Sequence, residues 1–238
     1  MSGQRVGVFG ETGLEAAIEA AGGEPVDGEA TDVAFVVAAG DRAVSDIAAE
    51  AGPEAAPVLP VGETKGIRAV PQDRLEQAVA DALAGTARTE RHPVVTAAAG
   101  EETTTAVFDV ALMAAEPAQI SEFSVRTQET AVSQFRADGL VVSTPAGSTG
   151  YGRRAGGPTV AAETGVVSVV PVAPFSTASG QWVLPIESVT LTVERDETPV
   201  ELLADGRREW TVGAATPLSF VVDGQFELLV VDGSRSRF

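Results

Sequence analysis

Residues 71–99 read "PQDRLEQAVADALAGTARTERHPVVTAAA", and inside this stretch the periodicity of the chain changes. In its first half Leu75, Val79 and Leu83 recur at helical spacing, with Pro71 before the run and Gly85 after it. Past "TARTERHP" the helical spacing stops and β-branched runs begin. This predicts a boundary near residue 92 between two kinds of structure.

Upstream, strand and helix signals alternate. "RVGVFG", "DVAFVVAAG" and "APVLPVG" read as short buried strands; "ETGLEAAIEAAGG" and "DRAVSDIAAEAG" read as helices ended by Gly22-Gly23 and Gly52. Such alternation implies a parallel sheet with helices on both faces. Downstream come "VVTAAA", "TTTAVFDVALMAAE", "ISEFSVRT", "VVSVVPV", "SVTLTVE", "PVELLAD", "LSFVVDG" and "FELLVVDG", separated by turn residues, the pattern of an antiparallel β-sandwich. The expected organisation is an α/β domain over residues 1–92 and an all-β sandwich over 93–238. The final segment, Gln225–Phe238, either returns to the first domain or closes the sheet; the pattern leaves both open.

Composition narrows the chemistry. The 238 residues include no cysteine and one histidine, His92, which excludes disulfides, thiolate metal sites, thiol catalysis and multi-histidine metal sites. His92, beside Pro93, reads as a surface or strand-edge residue, and Trp182 and Trp210 as core or interface anchors. The formal net charge of −18 argues against a nucleic-acid partner. Lys65 is the one lysine among 16 basic residues; acid excess with little lysine matches adaptation to high salt. The N-terminus lacks a signal-peptide pattern, and the longest apolar run is broken by Pro171 and Pro174, so a cytoplasmic protein with no membrane partner is expected.

Three stretches are candidate sites. In "GVFGETG" the glycines are three apart, which does not fit the dinucleotide fingerprint and reads as a strand-to-helix turn. Asp41 follows a buried strand and opens a helix, either as an N-cap or at the edge where open α/β sheets place ligands. Residues 138–158, "DGLVVSTPAGSTGYGRRAGGP", run from a strand into small residues and hydroxyls, then two arginines. Gly147, Gly150 and Gly152 permit close backbone approach, and the segment is longer than a plain connection needs.

This last segment resembles the hallmark of the NAD kinase family, DG-x-x-x-STP-x-GSTAY-x-x-S-x-GGP. Asp41 falls on the aspartate of the family's GGDG motif, "VVPVAPFSTASGQWVLP" is similar to its P-I-x-P-H-x-L…R-P-x-V-L-P segment, and "VVDGQ" to its DGQ. The resemblance implies an α/β domain followed by a β-sandwich, with the nucleotide site between them, in homodimers or homotetramers. The implied reaction moves the γ-phosphoryl of ATP to the adenosine-ribose 2′-hydroxyl of NAD, with magnesium as activator and no tightly bound prosthetic group. By resemblance Asp41 is the base, Gly40 and Arg42 lie at the ATP phosphates, and Asp138, Ser148, Thr149, Gly150, Tyr151 and Arg154 hold NAD.

Several family positions are altered. GGDGT reads here Ala39-Gly40-Asp41-Arg42-Ala43, so Arg42 is expected either to carry backbone strain or to help hold phosphate. Met113 and Ala114 stand where the family has an Asn-acidic pair, with Glu116 two residues on as a weak substitute. Gly150 replaces alanine, Arg154 serine and Phe175 histidine. Each lost polar contact costs about 1–3 kcal/mol. Two alternatives therefore stand beside the kinase: a non-catalytic nucleotide-binding relative, and a kinase for another hydroxyl substrate.

Overall fold

The computed structural model describes residues 3–10, 13–30, 32–50, 56–64, 66–116, 119–128, 130–176, 180–196 and 198–235. The first two residues of the expected helix at "ETGLEAAIEAAGG", and Gly52, lie outside them. The chain divides into two compact units, residues 1–92 with 224–238, and residues 93–223.

The first unit contains β1 (Arg5–Phe9), α1 (Glu15–Ala20), β2 (Glu24–Asp27), β3 (Phe35–Ala39), α2 (Gly40–Glu50), β4 (Val58–Val61) and α3 (Leu75–Leu83). β1 pairs in parallel with β2 and β3, and β3 with β4. Phe35–Ala38 are all buried, as a central parallel strand covered on two faces requires. On one face Phe35 and Val37 pack with Leu14 and Ile18 of the α1 region and Leu75, Ala78 and Val79 of α3. Val36, Ala38 and the buried α2 residues Ala43, Val44 and Ile47 fall outside that cluster, as strand alternation dictates for a helix on the other face. The expected fold class, α/β followed by all-β, is what the molecule has.

The second unit is antiparallel. β5 (Arg88–Ala99) crosses the boundary between His92 and Pro93, its fifth and sixth residues; then follow β6 (Glu102–Ala106), β7 (Asp109–Ala114), β8 (Ser121–Arg126), β9 (Ala131–Ser143), the short helix α4 (Tyr151–Arg154), β10 (Val166–Pro174), β11 (Trp182–Pro185), β12 (Thr190–Arg195), β13 (Val200–Ala204), β14 (Arg207–Val212) and β15 (Pro217–Val230). The long β9 organises it. Ala131–Ala137 pair with β8, while Gly139–Ser143 lie between β7 and β10. Phe123, Phe135, Leu140, Leu191 and Leu218 anchor the core, and Trp182 and Trp210 pack against it. Each such side chain contributes roughly 1.5–3 kcal/mol of burial.

β15 leaves this unit at Gly224, whose φ of +115° bends the strand. Its later part belongs to the first unit, where Leu228 pairs in parallel with Val58. Among the described residues no helix is long and apolar enough to cross a membrane.

One expectation is corrected. His92 is 1% exposed, not a surface residue. It lies against the Phe226 ring, centroids 5.4 Å apart, and its Nε2 meets Glu90 Oε1 at 2.9 Å. The pairing with His92 holds the Glu90 carboxyl below its ordinary range, against the opposing effect of burial. An edge position in sequence did not disclose that a later strand brings an aromatic ring over it.

Candidate functional site

Site chemistry gathers in one cluster of each unit. In the first unit, adjacent parallel strands end in left-handed glycines. β3 stops at Ala39 and Gly40 has φ +79°; β4 stops at Val61 and Gly62 has φ +85°. A Cβ at either would meet nothing within 4 Å, so both backbones face open space. That space is a cavity of about 730 Å³, lined also by Thr64, Gln72 and Arg235. It lies at the carboxyl ends of the strands, where open parallel sheets bind ligands, and is of ligand size.

Asp41 is half-buried in the first turn of α2, directly after Gly40. Arg42 does not carry the strain considered above: the left-handed residue is Gly40, and Arg42 is helical. Its side chain is 73% exposed and pairs with Asp46 one turn on, Nε to Oδ2 3.0 Å.

In the second unit the loop 143–150 is almost wholly buried, although loops usually avoid the interior because their backbone groups need partners. Its hydroxyls supply them. Thr144 donates through Oγ1 to the Val107–Phe108 carbonyls and accepts from Gly147 N at 3.2 Å. Ser148, fully buried, donates to Pro145 O (2.8 Å) and accepts from Val160 N (2.9 Å), so its hydroxyl is used within the loop. A Cβ at Gly147 would overlap the Phe108 carbonyl, which explains the glycine. Gly150 precedes α4. Thr149 Oγ1 is buried with no hydrogen-bond partner among the described residues, an orphan that a bound molecule would satisfy.

The bend that receives this loop is held from elsewhere. Asp205 and Gly206, at φ +49° and +78°, form the two-residue turn between β13 and β14. The Asp205 carboxylate accepts three consecutive backbone amides: Val107 N at 2.9 Å, Phe108 N at 2.7 Å and Asp109 N at 2.9 Å. Val107 and Phe108 are buried, so without this carboxylate their amides would lack partners. Sequence reading missed Asp205. The "DG" between alternating runs signals a hairpin, but nothing local signals what the carboxylate reaches.

Beside the loop, Tyr151 is half-buried against Met113, its OH donating to Met113 Sδ at 3.8 Å. Met113 Sδ sits over Gly139, where a Cβ would collide with it. Burial, and next the nearby Asp109 carboxylate, raise the Tyr151 phenol above its ordinary value; Asp138 adds to this and Arg154 opposes it. Asp138, Tyr151, Arg154 and Met113 are thus neighbours. Ala114 ends β7, so strand alternation does not carry to Glu116, which lies beyond it and is exposed. Phe175 is 78% exposed past the end of β10.

The profile of the ATP-NAD kinase C-terminal domain matches residues 108–232, more than half of the chain. The chain belongs to the ATP-NAD kinase family. An NAD kinase of Methanosarcina barkeri is 35% identical over 143 residues, 60% of this chain and 52% of that protein. The chain spans about half the length of the curated relatives it matches. Among solved structures, an NAD kinase from Archaeoglobus fulgidus in complex with ATP superposes with a TM-score of 0.76 at 22% identity, covering 96% of this chain and 93% of that one. Yeast NADH kinase complexed with NADH gives 0.80 at 14% identity, covering 98% and 85%. At these identities the two structures establish the shared fold.

Proposed function

We propose that this ATP-NAD kinase family member transfers the γ-phosphoryl of ATP to the adenosine-ribose 2′-hydroxyl of NAD, giving NADP. The observation that carries the reading is the arrangement around Gly40-Asp41: a strand end, a left-handed glycine facing a ligand-sized cavity, and a carboxylate one residue on. Phosphoryl transfer asks a protein mainly for positioning and charge stabilisation, and for a group that takes the hydroxyl proton. Asp41 takes that role. The names of the relatives, NAD kinases and an NADH kinase, and the ATP and NADH in the two solved complexes support the same pair of substrates.

ATP enters as its magnesium complex, the metal arriving with the nucleotide. Among the described residues no group of three or more acidic or histidine side chains is arranged to hold a metal. Asp138, Thr149, Gly150, Tyr151 and Arg154 hold the dinucleotide, Ser148 keeps the loop in shape, and Gly40 lies at the phosphates. Arg42 stays with Asp46 rather than reaching phosphate. The resemblance also supports a homodimer or homotetramer, and the composition a cytoplasmic, salt-adapted enzyme.

A second reading, a nucleotide-binding relative without turnover, is favoured by one contact: the thioether of Met113 occupies the Tyr151 hydroxyl. The test is NADP formation from NAD and Mg·ATP in high potassium chloride. The wild type turns over, and Asp41→Ala loses about 10²–10⁴-fold in kcat while its unfolding midpoint is unchanged. Tight NAD binding with no turnover selects the second reading.

A further inference from the structure

The lining of the first-unit cavity contains one cation among the described residues, Arg235, and neither its sequence context nor the family signature draws attention to it. Its position is built. After β15 the chain turns back at Val231–Ser234: Ser234 N donates to Val231 O (3.0 Å), Val231 N donates to Ser234 Oγ (3.1 Å), and Gly233 supplies φ +139°. The returning backbone then locks onto Ala69, with Arg235 N to Ala69 O at 2.9 Å and Ala69 N to Arg235 O at 3.2 Å. Two hydrogen bonds therefore fix the Cα of Arg235 at the cavity wall and leave its guanidinium uncommitted. The residue is exposed and has no ion pair among the described residues.

We infer that Arg235 holds a phosphate group of a nucleotide in the cavity at the ends of β3 and β4. Although the Glu63 carboxylate also lines the cavity, two further features suit an anion. Gly40 and Gly62 turn bare backbone toward the same space, which lets phosphate oxygens come close. The chain carries a formal net charge of −18, so a polyphosphate approaching it is repelled unless a fixed cation offsets the field locally. A planar guanidinium with a pinned backbone supplies paired donors at little ordering cost. This rests on the proposed phosphotransferase reading for the identity of the nucleotide, but not for the anion site itself.

The experiment is calorimetric binding, without turnover, of ATP, NAD and inorganic tripolyphosphate to the wild type, Arg235→Gln and Arg235→Lys in one buffer. Arg235→Gln is expected to weaken ATP and tripolyphosphate about ten- to hundredfold, the range for a lost charged hydrogen bond. Arg235→Lys, which keeps a point charge without the fork, falls between. If the loss falls on NAD and spares ATP, the phosphate held is the dinucleotide's, and the site stands. Unchanged affinity for both nucleotides in Arg235→Gln overturns the inference. So does an equal loss in Arg235→Lys, which marks packing, or a wild type that binds none of the three probes. Because only binding is read, failure of phosphoryl transfer and failure of this site give different results.

Discussion

The cavity wall of the first unit and the buried loop of the second are built by opposite means. At the cavity, topology does the placing: adjacent parallel strands end in Gly40 and Gly62, and the backbone itself faces the space. In the loop 143–150 placement depends on residues far along the chain. Thr144 and Gly147 seat on Phe108, and Phe108 is seated on Asp205. A surface made by strand ends tolerates side-chain change, whereas a loop hung on one carboxylate fails when that carboxylate is removed.

The largest effect is therefore expected at Asp205. Asp205→Ala strands three consecutive backbone amides, two of them on buried residues, and should destabilise the second unit by roughly 3–5 kcal/mol, counting less than the full sum of three charged hydrogen bonds. Urea unfolding followed by tryptophan fluorescence measures this directly, since Trp182 and Trp210 both pack on that core. Unchanged stability would mean the clamp holds nothing. Gly147→Ala comes next. It forces a methyl against the Phe108 carbonyl, should cost about 1–3 kcal/mol as an overpacking change, and should weaken NAD further by displacing Thr149 and Tyr151. Calorimetry with NAD sharpens the comparison: the ATP affinity should change less than the NAD affinity. The smallest effect is at Met113. Met113→Asn replaces a weak thioether acceptor beside Tyr151 with an amide, leaving stability within about 1 kcal/mol and improving NAD affinity up to roughly tenfold. No gain in affinity would show that this position does not meet the ligand.

The parts legible in sequence were those with local causes. Leu75, Val79 and Leu83 announced α3, a continuous apolar run announced β3, and β-branched alternation announced the antiparallel unit. Asp41 was legible as a candidate because strand and helix directly adjoin there. The signature at 138–158 was legible as a pattern, but its physics was not. The signature implied that Ser148 and Thr149 meet a ligand; Ser148, like the neighbouring Thr144, has its hydroxyl engaged with buried backbone. Thr149 alone of the three keeps a buried, unpartnered oxygen. Asp205, His92 and Arg235 escaped for a common reason: each owes its role to a long-range partner, respectively the bend at 107–109, Phe226 and Ala69. Backbone strain was expected at Arg42 because the family motif has a glycine there. In the folded chain the left-handed turn needs only Gly40, and a helix accepts arginine at the next-but-one residue.

The proposed reaction gives Asp41 the proton of the NAD 2′-hydroxyl. Phosphorus NMR of a reaction containing the protein, NAD and Mg·ATP in high potassium chloride tests it most directly. The expected result is a new phosphomonoester signal from the ribose 2′-phosphate of NADP, growing in step with ADP and absent with Asp41→Ala. ATP unchanged beside NAD, or ADP and free phosphate appearing with no 2′-phosphate, would contradict it.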